Sequence, residues 1–320
     1  MFNSIWEDVR REFSRGNMIT RLIIVNSAIF IFVNIVRLIF LVTYGGNDFT
    51  EPYRGFIRFL AFSADPLYVL THPWTVITSM FLHEGFWHIL WNMLFLYWFG
   101  RIVGDFIGDH RILPLYLLGG LAGGLSYFIY AQFAGLGADH YAYGASGAVM
   151  AIVVAAGAIS PDYIMRLLFI GDVKLKYIVL VLVLLDLFAL GNNYNTGGHF
   201  AHLGGALFGY FFVQQLNSGN DLSAPVSRLI RRIQVFFENL RSGDGERRRG
   251  PRVVYRNTNA RKQTARKSSR SSTKTSTPPA SSEDQNHQVK LDAILDKIKQ
   301  HGYESLTAEE KEFLFNASKK

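Results

Sequence analysis

The chain has 320 residues, 49% of them hydrophobic and 14% aromatic, and a formal net charge of +8. It contains no cysteine, which excludes a disulfide framework, a thiolate nucleophile and a cysteine-ligated metal. The averages conceal a polarity break that excludes a single soluble globule: residues 19 to about 216 are nearly all apolar, whereas 241–320 are basic and then of mixed charge.

The opening residues lack the basic front and the small-residue cleavage site of a signal peptide, so no cleavable leader is expected. Residues 1–18 set Ile5, Trp6, Val9 and Phe13 among Glu7, Asp8, Arg10, Arg11 and Arg15. This spacing predicts a short amphipathic helix, either lying on a membrane surface or forming a solvated lead-in.

A helix needs about 20 apolar residues to cross a hydrocarbon core. Six runs approach that length, at 19–44, 76–99, 113–135, 143–160, 173–190 and 198–216. The domain expected over 19–216 is therefore an all-α, six-transmembrane-helix bundle. Its orientation follows from basic residues in the short loops. Arg10, Arg11, Arg15 and Arg21 precede the first span, Arg101 and Arg111 follow the second, and Arg166, Lys174 and Lys176 follow the fourth. The opposite side has only Arg54 and Arg58 in its loop 45–75, and no Lys or Arg in 136–142 or 191–197. Both termini are accordingly expected in the cytoplasm. The long first outer loop contains the apolar stretches 56–57, 59–62 and 67–70, which suit a folded, partly embedded segment.

Residues 217–286 are expected to hold a cytoplasmic amphipathic helix at 226–240 and then a basic disordered linker, rich in Gly, Arg, Ser, Thr and Lys. Such a tail can rest on anionic lipid. Nucleic-acid binding is not expected, because no aromatic residues interleave its charges. Residues 287–320 resume helical patterning through Val289, Leu291, Ile294, Leu295 and Ile298. Thr307-Ala308-Glu309-Glu310 is a capping-box start to a second helix carrying Phe313 and Leu314. This small helical module reads as a contact element whose partner the sequence does not name.

Polar side chains at membrane depth are costly and call for a reason. Ser146 lies between glycines in Tyr143-Gly144-Ala145-Ser146-Gly147-Ala148, and His202 lies among small residues in Ala201-His202-Leu203-Gly204-Gly205. Taken alone, the serine is an ordinary packing residue. His88 and Asn92 in the second run are four apart, on one helical face, and both can donate toward a developing oxyanion. Together the four residues read as a nucleophile, a base and two oxyanion donors. Gly144, grouped with the oxyanion elements, and Gly147 allow close approach to the hydroxyl. Gly205 and Gly209 allow the sixth span to lie against the fourth. No carboxylate is near in sequence, so a dyad is expected, with His202 oriented by packing. Asp186 in the fifth span reads either as part of a substrate gate or as a structural partner of a neighbouring span, and Arg37 as a snorkelling residue.

These residues resemble the rhomboid intramembrane serine proteases over roughly residues 19–216. The resemblance rests on Gly144-Ala145-Ser146-Gly147 (the family's GxSG), on His88 with Asn92 (HxxxN), and on Ala201-His202 with Gly205 and Gly209 (AHxxGxxxG). It implies an integral membrane protein, of the bacterial inner-membrane type, that cleaves the transmembrane segments of other proteins without a cofactor. Ser146 would be its nucleophile, His202 its base, and His88 and Asn92 its oxyanion donors. His83 stands where many members carry a structural histidine, which implies bracing of the first outer loop. Trp74-Thr75 replaces a Trp-Arg pair of some members, Gly104-Asp105 stands near a common glutamate, and Met150 stands where some members stack a tyrosine on the histidine.

Rivals remain. A rhomboid-like non-enzyme that binds and escorts membrane helices would ordinarily lack the serine or the histidine. An intramembrane zinc protease is suggested by His83-Glu84, but His88 follows at five residues rather than four and would leave the face of His83 on a helix. His199 and His202 are three apart, with no evident carboxylate to complete a metal site. A transporter would show inverted repeats, and none is seen.

Overall fold

The computed structural model describes residues 2–44, 50–168, 170–192, 195–241, 290–298 and 302–317. It divides into two compact units, Met1–Arg247 and Arg248–Lys320.

The first unit opens with α1 (Phe2–Arg15), whose Trp6, Val9 and Phe13 are exposed. Asn17 caps α2 (Met18–Thr43), its side chain accepting from the Thr20 amide at 2.9 Å. The Met18 amide donates to both carboxylate oxygens of Asp109, at 2.8 and 3.0 Å. Helix α2 buries only Ile19, Leu22, Asn26 and Val33, while Ile31, Phe32, Ile35, Leu38, Ile39 and Val42 face outward. A helix apolar on its exposed side has hydrocarbon rather than water as its natural surroundings.

The first loop is folded. It contains α3 (Thr50–Leu60), β1 (Phe62–Ser63), α4 (Pro66–Thr71) and α5 (Thr75–Thr78). Trp74 Nε1 donates to the Phe59 carbonyl at 2.8 Å, and Thr78 Oγ1 to that of Leu60 at 2.7 Å. Thr75 is buried and donates to the His72 carbonyl at 2.7 Å. Strand β1 pairs antiparallel with β2 (Tyr141–Ala142), Phe62 opposite Ala142 and Ser63 opposite Tyr141.

The helix of the second apolar run starts later than the run suggests. Residues 79–81 form a 3₁₀ turn, and α6 runs from Phe86 to Ile107 with Gly85 as its N-cap. The break falls at His83-Glu84-Gly85, where the glycine leaves the helical conformation (φ −94°, ψ 137°). Arg101, expected in a loop, lies on α6 and donates to Tyr97 Oη at 2.7 Å. Helices α7 (Ile112–Phe133), α8 (Ser146–Ile159), α9 (Leu175–Ala189) and α10 (Thr196–Asn217) follow. Between α8 and α9 the chain makes an unforeseen hairpin, β3 (Ile164–Leu167) with β4 (Gly171–Lys174).

Helix α8 is the centre of the unit, contacted by α6, α7, α9 and α10, while α2 packs on α6. Every residue of α8 from Gly147 to Val153 is buried, as its all-apolar sequence requires. Among the described residues two helical stretches, Met18–Thr43 and Asp109–Phe133, are long and apolar enough by themselves to cross a membrane. The shortfall from six has a physical cause. Helices α8 and α9, with 14 and 15 residues, reach only about 21–23 Å at 1.5 Å per residue. Helices α6 and α10 have 22 residues each, but spend part of that length on histidine, asparagine, glutamine and glycine. Helix α11 (Ser223–Arg241) closes the unit, and Arg111 and Asp221 form an ion pair at 2.8 Å near its start.

The second unit is described over α12, at 290–298, and α13 (Ala308–Ala317). Lys297 Nζ meets Glu310 at 2.9 Å, and Ile294 and Leu306 are buried. The Thr307 amide donates to Glu310 Oε2 at 2.8 Å, and the Glu310 amide to Thr307 Oγ1 at 3.3 Å, a reciprocal capping box. The linker expected over 243–286 lies outside the described residues.

Candidate active site

Ser146 is the first residue of α8, reached through Tyr143-Gly144-Ala145. The first amides of a helix have no intrahelical acceptor and carry the positive end of its dipole, so the backbone here favours a nearby anion. Gly144 has φ +128°, a conformation that L side chains rarely adopt. A Cβ on Gly144 would stand 2.7 and 2.8 Å from Cε1 and Nε2 of His88 and 3.7 Å from Ser146 Oγ. The missing side chain therefore lets the His88 ring lie against the turn that carries Ser146.

Two contacts fix this turn. The Gly144 amide donates to the Ser79 carbonyl at 2.8 Å, and the Ala145 amide to His83 Nε2 at 3.3 Å. His83 is fully buried, and its Nδ1 faces the Phe81 carbonyl at 3.3 Å, which assigns the proton to Nδ1. It thus braces the segment before Ser146. It also precedes α6, so the helical-face argument against a His83–His88 zinc pair does not apply; the two rings are 5.0 Å apart, edge to face. Tyr143 Oη donates to Glu84 beside them.

His88 and Asn92 lie on α6. Asn92 is 6% exposed, and its Nδ2 donates to the His88 carbonyl at 2.8 Å, leaving its second N–H without a partner among the described residues. His88, Asn92, Ser146, Met150, Asp186 and His202 all line one open cavity of about 1130 Å³. No hydrogen bond joins Ser146 Oγ to His202 among the described residues; the two are brought to the same cavity by helix packing.

That packing is dense where glycine permits it. A Cβ on Gly205 would lie 2.0 Å from the Gly147 carbonyl oxygen, and one on Gly209 would lie 2.1 Å from that of Ala151. Gly123 on α7 closes the triangle, since its Cβ would meet the Ala201 carbonyl oxygen at 2.7 Å and the Gly147 Cα at 3.3 Å. Backbone from α7, α8 and α10 therefore meets beside Ser146 and His202, a contact only small residues allow.

Sequence reasoning offered Asp186 as a structural partner of a neighbouring span but did not connect it with His202. Asp186 Oδ1 lies 2.8 Å from His202 Nδ1 and 2.7 Å from His199 Nδ1. Orientation of His202 by packing alone is therefore corrected, and so is the absence of a carboxylate beside His199 and His202. The signal was available in depth rather than spacing. Asp186 is three residues from the end of α9 and His199 three from the start of α10, so a short connection places them level. Asp186, His199 and His202 are also a group with metal-ligating potential among the described residues, their ligand atoms lying within 4.8 Å of one another. Each histidine Nδ1 already has the carboxylate as its acceptor.

The chain matches the model of the Rhomboid domain over residues 70–216 and, over 281–320, that of a family of unknown function, DUF6576. It is 27% identical over 191 residues to Rhomboid protease GluP of Bacillus subtilis, covering 59% of this chain and 34% of that protein. It is 34% identical over 146 residues to RHOMBOID-like protein 12, mitochondrial, of Arabidopsis thaliana, covering 41% of this chain and 43% of that one. To the putative rhomboid protease YdcA of Bacillus subtilis it is 28% identical over 148 residues, covering 44% of this chain and 68% of that one. The chain thus spans about a third to two fifths of the first two relatives. Residues 70–216 thus match a Rhomboid domain, and such a domain implies an integral membrane protein.

Proposed function

We propose that this protein is an intramembrane serine endopeptidase that hydrolyses peptide bonds in or near the transmembrane segments of other membrane proteins. The observation that carries the reading is the convergence of Ser146, His202, His88 and Asn92, from three helices, on one cavity. In this reading residues 1–18 are an amphipathic lead-in and 19–216 a six-span bundle with a partly embedded first loop. Residues 217–286 are the cytoplasmic helix and linker, and 287–320 a contact module. Both termini face the cytoplasm, and the membrane is a bacterial inner membrane.

The chemistry follows from the groups present. His202 Nε2 takes the Ser146 hydroxyl proton as Oγ attacks the scissile carbonyl. The carbonyl π-electrons move to oxygen, and the oxyanion is met by the His88 and Asn92 side chains and the amides that open α8. Collapse breaks the C–N bond, and the proton on His202 passes to the departing amine. Water, deprotonated by His202, then releases the acyl group and restores the Ser146 hydroxyl. Gly144 leaves room for the carbonyl beside His88.

The test is cleavage of a transmembrane reporter in lipid vesicles by wild type, Ser146→Ala and His202→Ala. Either substitution is expected to abolish cleavage, and a chelator is expected to leave the wild type unchanged. Cuts should map near the outer membrane surface, where the cavity admits water. Undiminished cleavage by Ser146→Ala removes the nucleophile assignment. A wild type that binds reporter helices without cutting them returns the chain to the non-proteolytic reading. Loss on chelation moves the site to the metal class.

A further inference from the structure

We infer that Asp186 is a positioning residue for this site, fixing the tautomer and aim of His202, and that His199 competes with His202 for the same carboxylate oxygen. The inference rests on the proposed serine-protease reading and deepens it from a dyad to a carboxylate-supported centre.

A neutral imidazole carries its one proton on Nδ1 or on Nε2, and the hydrogen bond made by one nitrogen decides which. Only the Nδ1–H form of His202 leaves Nε2 with the lone pair that a base toward Ser146 requires. Asp186 Oδ1, an acceptor with no proton to give when ionised, stands 2.8 Å from His202 Nδ1 and selects that form. Packing alone cannot choose between tautomers, because they have the same shape.

The carboxylate also answers to the charge created in the reaction. When His202 holds the Ser146 proton it becomes an imidazolium, and an anion against its other nitrogen stabilises it at that moment. The remaining surroundings of His202 offer no second anion among the described residues. His88 faces it from α6, Ser146 and Met150 lie on α8, and Tyr127 and Tyr130 line the cavity from α7.

His199 Nδ1 reaches the same Oδ1 at 2.7 Å from one turn earlier on α10. Two donors on one oxygen divide its accepting strength, so His199 draws on the group that holds His202. Because Asp186 lies on α9 and both histidines on α10, the shared oxygen also ties the two helices together at the level of the site.

The experiment uses the full-length protein in lipid vesicles, with a transmembrane reporter and a fluorophosphonate that labels activated serines. Asp186→Asn replaces the acceptor by an amide whose NH₂ can donate to Nδ1 and select the wrong tautomer. It is expected to lower kcat by about 10²–10⁴-fold, the range of a misassigned tautomer in a serine protease triad, with KM within about threefold. Fluorophosphonate labelling of Ser146 should slow in parallel. Asp186→Glu, which restores an acceptor, should regain at least about tenfold of that loss. His199→Gln should leave kcat at or above the wild-type value. Thermal unfolding in the same vesicles accompanies each variant, and if Asp186→Asn does not fold, the comparison of Asp186→Glu with His199→Gln decides.

An Asp186→Asn protein with wild-type kcat overturns the inference while leaving the dyad in place. So does a loss confined to KM or melting temperature, or one that Asp186→Glu does not reverse. Residual cleavage by Ser146→Ala refutes the underlying reading instead.

Discussion

The Gly205→Ala substitution is the most quantitative challenge to this architecture. The added Cβ would stand 2.0 Å from the Gly147 carbonyl oxygen and 2.8 Å from its carbon. Both are backbone atoms and cannot rotate away. Cβ atoms essentially never come closer than 3.0 Å to another heavy atom, so α10 must retreat from α8 by about 1 Å or more. Forcing one methyl into a close-packed contact typically costs about 1–3 kcal/mol. His202 is three residues before Gly205 on the same helix and moves with it, away from Ser146. A misplacement of about 1 Å at a reacting centre can lower the rate by about 10²-fold. The assay is kcat on a transmembrane reporter per folded molecule, beside thermal unfolding in the same vesicles. Gly104→Ala on α6 is the control, since the nearest atoms to its Cβ are at 3.9 and 4.0 Å. It should be neutral, or stabilising by up to about 1 kcal/mol from helix propensity. If Gly205→Ala matches wild type in both rate and stability, the close α8–α10 contact does not set the site.

Asn92→Ala should lower kcat by about 10²-fold with KM nearly unchanged, since on the proposed mechanism it removes a donor to charge that develops only during reaction; equal effects on KM would assign Asn92 to substrate binding. The Arg111–Asp221 ion pair makes a pH prediction. Burial pushes the Asp221 carboxyl up, but hydrogen bonds from Ser223 and Arg111 outweigh it and hold the carboxyl below its ordinary value. Its stabilisation is therefore present above about pH 4 and fades as pH falls through the lower folded-state value. Asp221→Asn should destabilise the first unit by about 1 kcal/mol at pH 7 and by progressively less in acid. A penalty that does not shrink on acidification would show that the charge is immaterial.

Part of the geometry of the candidate site was legible because it follows local rules. The four-residue spacing of His88 and Asn92 places both on one side of α6, and the Gly205–Gly209 pair marks a helix face that accepts another backbone. The late start of α6 was hidden because apolar residues flank His83-Glu84-Gly85 on both sides, and hydropathy does not register the glycine's extended backbone. The pairing of Phe62–Ser63 with Tyr141–Ala142 was invisible for a different reason. Two-residue strands have no periodicity, and their partners lie 80 and 78 residues apart. The β3–β4 hairpin was concealed by its charges, whose ion pairs Arg166–Asp172 and Lys174–Asp162 read as loop composition. The pairing of Asp186 with His202 was missed because a carboxylate was sought by proximity in sequence, whereas antiparallel helices match residues by depth.

The meeting of Gly123, Gly147 and Ala201 also constrains how the protein comes into being. Helices α7 and α8 leave the ribosome before α10, so on the proposed reading the nucleophile is made before its base. Only when the last helix slots into the groove left by the glycines do Ser146 and His202 share a cavity. On that reading a half-synthesised chain carries the serine without its base. Hydrolytic competence would arrive with completion of the bundle, its final helix serving as the arming step.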